Sequence, residues 1–519
     1  MAAVGPSPEA QAWRPKHNPW LIAIAVMSAT FMEILDTSIA NVALPHIAGS
    51  MASTAEEATW AITSYLVANA IVLPLTGWLA VNFGRKRFLV TCIILFTFAS
   101  VLSGAATSLT MLIVARILQG LGGGAMQPTA QAVLLESFPP RQRGAAMAFY
   151  GVGVVVAPIL GPIVGGFITD NYTWRWSFYI NLPVGMIAIL MALLFIEDPP
   201  FLAHRAGSKV DYPGFFSLAL WIAALQIMLD KGQQEGWFQS SLIVTLAVIF
   251  AIALMFFLNW ELQTGAPVVE LSILKDRNFA IATFLITVVG AVLYGSVTVL
   301  PLFLQNLVGY PAFDAGLAVA PRGAGALCAM LMVGPMLARF DGRYFVGFGF
   351  FLLGLSNIFL SHINLDISIW NVTSANIVQG VGIGFIFVPL TTLANAYLPM
   401  ERFSMASGIY NLMRNLGGGI GIALSTTAIA RGAQRFQNYL VEHITPYDPT
   451  YQNFHQTLSA VMPNPQAADA LTYATVSQQA ALLAYINIYA IMAWACFLCI
   501  PLVFLLRKAE VDGPVAPAH

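Results

Sequence analysis

Charge is what this chain has least of. Asp, Glu, Lys and Arg make up 9% of its 519 residues against 58% hydrophobic ones, where soluble domains carry about 25% charged residues. With a mean hydropathy of +0.75, this excludes a water-soluble globular protein and implies an integral membrane protein. A formal net charge of −1 and a pI near 6.7 leave no basic surface for nucleic acid. Cysteine is scarce too. Cys92, Cys328, Cys496 and Cys499 all sit in apolar runs, which excludes a disulfide framework, and the pair Cys496-x-x-Cys499 has no neighbouring His to make a metal or redox site. The seven histidines are scattered, so no metal centre is expected. No G-x-x-x-x-G-K-[ST] stretch occurs, so the expected energy source is a proton gradient rather than ATP, with no cofactor. No small-residue cleavage site follows the first apolar run, which reads as a retained span and not a signal peptide.

What the chain does have is a series of apolar windows long enough to cross about 30 Å of hydrocarbon. They lie near 20–43, 58–81, 88–107, 110–136, 144–168, 177–197, 213–230, 240–260, 279–305, 315–338, 344–363, 371–397, 405–430 and 480–506. Fourteen spans imply an all-α integral membrane protein. Lys and Arg gather on alternate loops, as the positive-inside bias requires. With the N-terminus in the cytoplasm, that side holds Arg14, Lys16, Arg85, Lys86, Arg87, Arg141, Arg143, Arg205, Lys209, Lys275, Arg277, Arg339, Arg343, Arg402, Arg507 and Lys508. The outer side holds only Arg175, Lys231, Arg431 and Arg435. Both termini are therefore expected to be cytoplasmic.

The chain also repeats. A shift of 260 residues lays Gln119, Gly120, Gly122 and Gly124 on Gln379, Gly380, Gly382 and Gly384, and Gly161 on Gly421. The economical organisation is an N-terminal tail (1–19), a six-helix bundle (20–197), a linker with two extra spans (198–278), a second six-helix bundle (279–506) holding an outer loop at 431–479, and a cytoplasmic tail (507–519). Parallel halves of this kind are a transporter architecture with the substrate site between them. The repeat fails at two places: Arg116 corresponds to Asn376, and Pro162 to Ile422.

The fifth window contains G-V-G-V-V-V-A-P-I-L-G-P-I-V-G-G, from Gly151 to Gly166. Gly153, Ala157, Gly161 and Gly165 recur every fourth residue, a stripe that lets another helix approach closely. Pro162 removes a helical N–H and is expected to bend or hinge the helix. Gly166 closes the run.

An ionised side chain near the bilayer centre costs about 2.5–3.5 kcal/mol on insertion scales, so each one needs a partner, a cavity or a task. Glu33 and Asp36 stand three residues apart in the first span and share a helix face. Two readings are open: a coupled, titrating pair that binds and releases protons, or carboxylates permanently neutralised by an arginine such as Arg116. Arg116 is a fixed positive charge in the fourth span, and Gln119, one turn on, is a candidate for substrate or cavity contact. Arg322 either snorkels to the outer surface, bonds structurally or contacts substrate, and Arg414 either faces a cavity, bonds structurally or contacts substrate. The turn after the second span, with Gly77, Gly84, Arg85 and Lys86, is a topology anchor. Its relative at Gly334 to Arg343 suggests that both latch the cytoplasmic side.

These stretches resemble the major facilitator superfamily, and most closely its fourteen-span proton-linked drug-efflux branch with the EmrB-type pumps. L-D-T-S-I-A-N-V-A-L-P (Leu35 to Pro45) is similar to the branch's first-helix motif with a protonatable Asp. G-W-L-A-V-N-F-G-R-K-R (Gly77 to Arg87) is similar to the loop motif after the second helix, and L-I-V-A-R-I-L-Q-G (Leu112 to Gly120) to the fourth-helix Arg motif. G-P-I-V-G-G matches the antiporter signature, and D-N-Y-T-W-R-W-S-F-Y-I-N-L-P-V-G (Asp170 to Gly185) follows as in EmrB-type pumps. The chain departs at Val81, where the family usually has Asp, and at Ala157, where many members have Gly. Glu33 lies outside the family pattern.

The resemblance implies two six-helix bundles plus two inserted helices, and H+-coupled export of amphipathic or hydrophobic compounds across the inner membrane by alternating access. It also implies an EmrA-like periplasmic adaptor and an outer-membrane channel as partners, the 431–479 loop being either a docking element or an idle amphipathic surface. A metabolite-specific uniporter or symporter is the alternative. A membrane enzyme or a sensor is the remote one, lacking clustered His, Asp or Ser groups and an appended soluble domain.

Overall fold

A bilayer offers the backbone no water, so each spanning segment has to satisfy its own N–H and C=O groups, and a helix does so within one segment. The computed structural model of the chain describes residues 15–139, 142–198, 211–265, 267–337, 339–442, 444–445, 447–461 and 465–508, and these are helical without a strand. Arg14, Arg141, Arg205 and Lys209, counted on the cytoplasmic side above, lie outside the described residues, as does the side chain of Pro162.

The first half comprises α1 (Pro19–Ser50), α2 (Trp60–Phe83), α3 (Arg85–Gly104), α4 (Leu109–Gly123), α5 (Met126–Ser137), α6 (Arg143–Asn171) and α7 (Asn181–Phe195). The inserted pair is α8 (Tyr212–Lys231) and α9 (Ser241–Gln263). The second half comprises α10 (Arg277–Asn306), α11 (Ala312–Val319), α12 (Pro321–Met336), α13 (Gly342–Leu360), α14 (Ile369–Ala394), α15 (Phe403–Glu442), α16 (Pro449–Val461) and α17 (Pro465–Val503). Helix starts carry polar caps: the side chains of Asn18, Ser108, Asp276, Asp341 and Ser368 each accept a first-turn N–H. Such caps satisfy donors that the helix itself leaves over.

Within the first half α1 packs on α6 and α7, and α4 on α2 and α3; within the second, α10 packs on α15, and α14 on α12 and α13. The halves meet where α12 and α14 touch α6, and where α15 touches α2 and α5. The α8–α9 hairpin rests on α2 and α15 from outside. Its outer helix presents Val248, Ile252, Met255 and Phe256 outward, the face expected of a helix bathed in lipid.

The structure bears on three expectations. Among the described residues thirteen helices are long and apolar enough to cross a membrane. The remaining expected span lies in α15, which is long but carries Ser404, Ser407, Asn411, Arg414 and Asn415 along its first turns. The expected 431–479 loop is largely helix, since α15 runs on to Glu442, α16 follows, and the last span starts at Pro465 rather than near 480. Finally, α6 continues unbroken from Arg143 through the positions of both prolines to Asn171.

Candidate functional site

Asp36 sits midway along α1 and is 1% exposed. Its Oδ2 takes an Nη1–H of Arg116 at 2.6 Å, and its Oδ1 takes amide N–H groups of Asn181 at 2.6 Å and Gln119 at 2.9 Å. Arg116 is itself fully buried. It donates further to Ala61 O at 3.1 Å and Gln119 Oε1 at 2.7 Å, and its guanidinium lies over the Tyr65 ring, 4.2 Å from the centroid. Four helices (α1, α2, α4 and α7) thus converge on one ion pair. Further hydrogen bonds offset the cost of burying such a pair: the carboxylate has three donors, while Nη2 of Arg116 is left without a hydrogen-bond partner.

Glu33 points elsewhere. Its Oε1 accepts from Tyr65 Oη at 3.0 Å and Asn69 Nδ2 at 3.1 Å, and its Oε2 from Gln127 Nε2 at 2.7 Å. All three partners are neutral. The acceptor end of Gln127, on α5, takes an N–H of Arg414 on α15. A continuous chain therefore runs from α1 in the first half to α15 in the second. Asn411, one turn before Arg414, donates to Gln131 on α5 at 2.8 Å, and Arg414 lies 5.9 Å from the centroid of the Phe387 ring, which stacks on Tyr150. The two carboxylates have separate donors: a guanidinium and two amides for Asp36, two amides and a phenol for Glu33.

The small-residue stripe packs α6 against this same α1. A side chain at Gly153 would run into Met27 and one at Gly161 into Ser38, a Cβ at Gly165 would come within 3.4 Å of Ile39 and Val42, and Ala157 is fully buried beside Leu35 and Ile39. Ser38 Oγ also donates to Pro158 O at 3.0 Å. Gly166 has open space around it and takes no part in the approach. In the second half Gly417 and Gly421 meet Thr287 and Ala291 of α10 in the same way. Gly161→Val should lower the thermal midpoint of the purified protein, since overpacking a tight contact costs about 1–3 kcal/mol. Gly166→Val should leave it unchanged, and equal midpoints for the two would contradict this packing.

At the end assigned to the cytoplasm, Gly84 has φ +82°, a left-handed conformation that glycine adopts at no steric cost. It turns α2 into α3, and Lys86 donates its backbone N–H to Asp198 at 2.8 Å and its ammonium to Leu193 O at 2.6 Å. Arg85 was counted above as a loop charge, but it is 1% exposed and ion-paired with Glu136 on α5. Gly77 faces Met405 of α15, and Gly144 faces Gly334 of α12, so glycines of the turn and its relative lie at contacts between the halves. Partial burial opposes ionisation of Asp341, but the hydrogen bonds and charge of Arg343 outweigh it and hold that carboxyl below its ordinary value.

Arg322 does not snorkel. It is 5% exposed and donates to Asn376 Oδ1 at 2.7 and 3.1 Å and to Ser296 Oγ at 3.3 Å. Gln379 donates to the same Ser296 oxygen at 3.1 Å.

The Major Facilitator Superfamily profile matches residues 26–422. The chain is 35% identical over 492 residues to "Multidrug export protein EmrB" of Escherichia coli (strain K12), covering 94% of this chain and 95% of that one. It is 36% identical over 500 residues to "Fatty acid resistance protein FarB" of Neisseria gonorrhoeae, covering 95% and 97%. In fold it is similar to the crystal structure of the human organic anion transporter MFSD10 (TETRAN), with a TM-score of 0.60 at 10% identity, over 93% of this chain and all of that one.

Proposed function

Because the chain belongs to the major facilitator superfamily, within its EmrB-type permeases, we propose that it exports amphipathic or hydrophobic compounds in exchange for protons. It works by alternating access between two six-helix halves with an inserted pair, in the inner membrane with both termini cytoplasmic. It serves as the permease of a tripartite pump, and the helical cap formed by the end of α15, α16 and the start of α17 is the surface it offers an EmrA-like adaptor.

The observation that carries the exchange reading is the chain Glu33–Gln127–Arg414 across the two halves. A side-chain amide has one donor end and one acceptor end. While Glu33 is ionised, Gln127 can give its NH2 to the carboxylate and its oxygen to Arg414. A proton on Glu33 Oε2 turns that atom into a donor. Gln127 must then present its oxygen to Glu33, which sets its NH2 against the guanidinium. Two donors face each other and the link between the halves is lost. Protonation thereby loosens one half from the other, and deprotonation rejoins them.

The direction suits export. Gly77 meets Met405, Leu73 meets Gly408 and Gly144 meets Gly334 near the cytoplasmic ends of their helices, an arrangement we read as outward-facing. A proton arriving from outside loosens the cytoplasmic closure, and its release inside, with substrate bound, lets the closure reform. Asp36 and Arg116 hold the four helices around this switch, and the stripe on α6 keeps α1 in place as the halves rock.

Gln127→Leu tests the link, since leucine fills similar space with neither end of the amide. An inter-half hydrogen bond to a charged group is worth about 1.5–3 kcal/mol. Uptake of a fluorescent amphipath into everted vesicles, driven by a pH gradient, should therefore fall by about tenfold or more. Binding of the same compound should stay near wild type. Wild-type uptake in the variant would contradict the link, and wild-type uptake that survives collapse of the pH gradient would contradict proton coupling.

A further inference from the structure

The inserted pair belongs to neither half, yet α8 and the turn after it are bonded to both. At the end of α8 assigned to the outside, Asp230 accepts a hydrogen bond from Thr63 of α2. The ammonium of the next residue, Lys231, donates to Thr59 Oγ1 at 2.7 Å and lies 5.2 Å from the centroid of the Trp60 ring. Lys231 was counted above as an outer loop charge, but it is 5% exposed. In the turn that follows, Trp237 Nε1 donates to Thr427 Oγ1 of α15 at 2.9 Å. A Cβ on Gly419 of α15 would come within 3.6 Å of Gln226 and Leu229 of α8. Toward the cytoplasm α2 and α15 meet directly, at Gly77 with Met405 and at Leu73 with Gly408. Toward the outside each is bonded to the inserted hairpin.

The two anchors differ in kind. The one on α2 is made by two charged side chains, and hydrogen bonds to charged groups are the stronger ones. The one on α15 is a bond between neutral groups, and its donor is shared with Gln233 at 3.3 Å. It also holds a strained backbone. Trp237 has φ +57°, after Gly236 at φ +71°. For a bulky residue the left-handed region is an outlier, and it persists only where the surroundings impose it. Here they are Thr427, Gln233 and Gly232, whose Cβ would come within 2.9 Å of the indole. Parting from Thr427 frees the indole and lets the turn relax.

We propose that α8 and the turn to Trp237 form a strut that holds the outer ends of α2 and α15 at their present spacing, staying on α2 and letting go of α15 when the outer side closes. One helix cannot keep rigid anchors on two halves that rock against each other, so the weaker, strained anchor is the one that yields. The inserted pair thereby sets the balance between outward- and inward-facing forms. The strut rests on the outward-facing reading and on alternating access, and is independent of proton coupling at Glu33.

The test uses the full chain with its four native cysteines replaced. A short bifunctional methanethiosulfonate joins Trp237→Cys to Thr427→Cys or, in a second variant, Thr59→Cys to Lys231→Cys, and reductant removes the bridge. Exchange of labelled for unlabelled amphipath in proteoliposomes requires both faces to open. Fixing the turn to α15 should slow it about tenfold or more, with recovery on reduction, whereas fixing α8 to α2 should leave it within about twofold. Exchange that survives the α15 bridge, equal loss with both bridges, or failure of the α15 pair to bridge overturns the strut. Dipolar electron–electron distances separate it from the reading beneath it. Spin labels at Glu57→Cys, before α2, and Arg431→Cys, on α15, report the outer spacing. Thr427→Val removes the acceptor at similar shape and should enlarge the short-distance population about two- to tenfold. Identical distances with and without Thr427→Val overturn the strut. A parent protein found mainly at the short distance overturns the outward-facing reading, and the strut with it.

Discussion

Glu33→Gln should abolish uphill export while leaving substrate-for-substrate exchange intact. The replacement keeps an oxygen for Tyr65 Oη and Asn69 Nδ2, which donate to Glu33 Oε1 at 3.0 and 3.1 Å, so the local packing survives. What changes is the other end. An amide NH2 takes the place of Oε2, and Gln127 has to turn its own oxygen toward it, away from Arg414. The variant is thus held permanently in the arrangement that a proton imposes transiently, and it has no proton to release. Proteoliposomes with a pH gradient should show no accumulation above equilibrium. Exchange of labelled for unlabelled substrate, which needs no proton cycle, should remain within a few-fold of wild type. Accumulation at the wild-type level would remove Glu33 from the coupling.

Asp36→Asn should act in a different way, through stability. Arg116 is fully buried, and among the described residues its only carboxylate partner is Asp36. Removing one partner of a buried ion pair costs about 3–5 kcal/mol, because the other charge stays behind without compensation. The new NH2 also faces one of the donors from Arg116, Gln119 or Asn181. We expect a large fall in thermal midpoint and in the yield of folded protein. The double variant Asp36→Asn with Arg116→Gln should recover much of that loss, since it removes the orphaned charge, yet it should not recover transport. If Asp36→Asn instead has wild-type stability and loses only gradient-driven uptake, the roles given to the two carboxylates are reversed.

The charged part of the site was legible in the sequence because charge is so rare in it. Glu33, Asp36, Arg116, Arg322 and Arg414 stand out against apolar helices, and each is buried in the structure. Their partners were not legible. Tyr65, Asn69 and Gln127 are neutral, and no spacing joins positions 33, 65 and 127, because which face of one helix meets another depends on rotations set by packing across the bundle. For that reason two carboxylates on one face of α1 read as a pair, although three residues along the helix is enough to aim one at α2 and α5 and the other at α4 and α7. Asn181 lay inside a recognised stretch without a visible role.

The repeat held more than was drawn from it. Its register sets Ser296 opposite Asp36, which already marks a second-half site without its acid and would have kept Arg322 from being read as a snorkelling residue. The helical cap was missed in spite of its composition. The stretch 431–479 between the last two expected spans read as a loop, but Ala433, Gln434 and Leu440, and Ala467, Ala468 and Leu471 at the start of α17, are good helix formers. They extend the two neighbouring spans outward.

Proton release on substrate binding tests the central claim most directly. Purified protein in weakly buffered detergent, first equilibrated at a pH where Glu33 carries its proton, should release about one proton per chain when a saturating amphipathic substrate is added, as read by a pH-indicator dye. The Glu33→Gln variant should bind the same substrate and release none. Equal release from the wild type and the variant, or binding to the wild type with no release at all, would contradict proton exchange at Glu33.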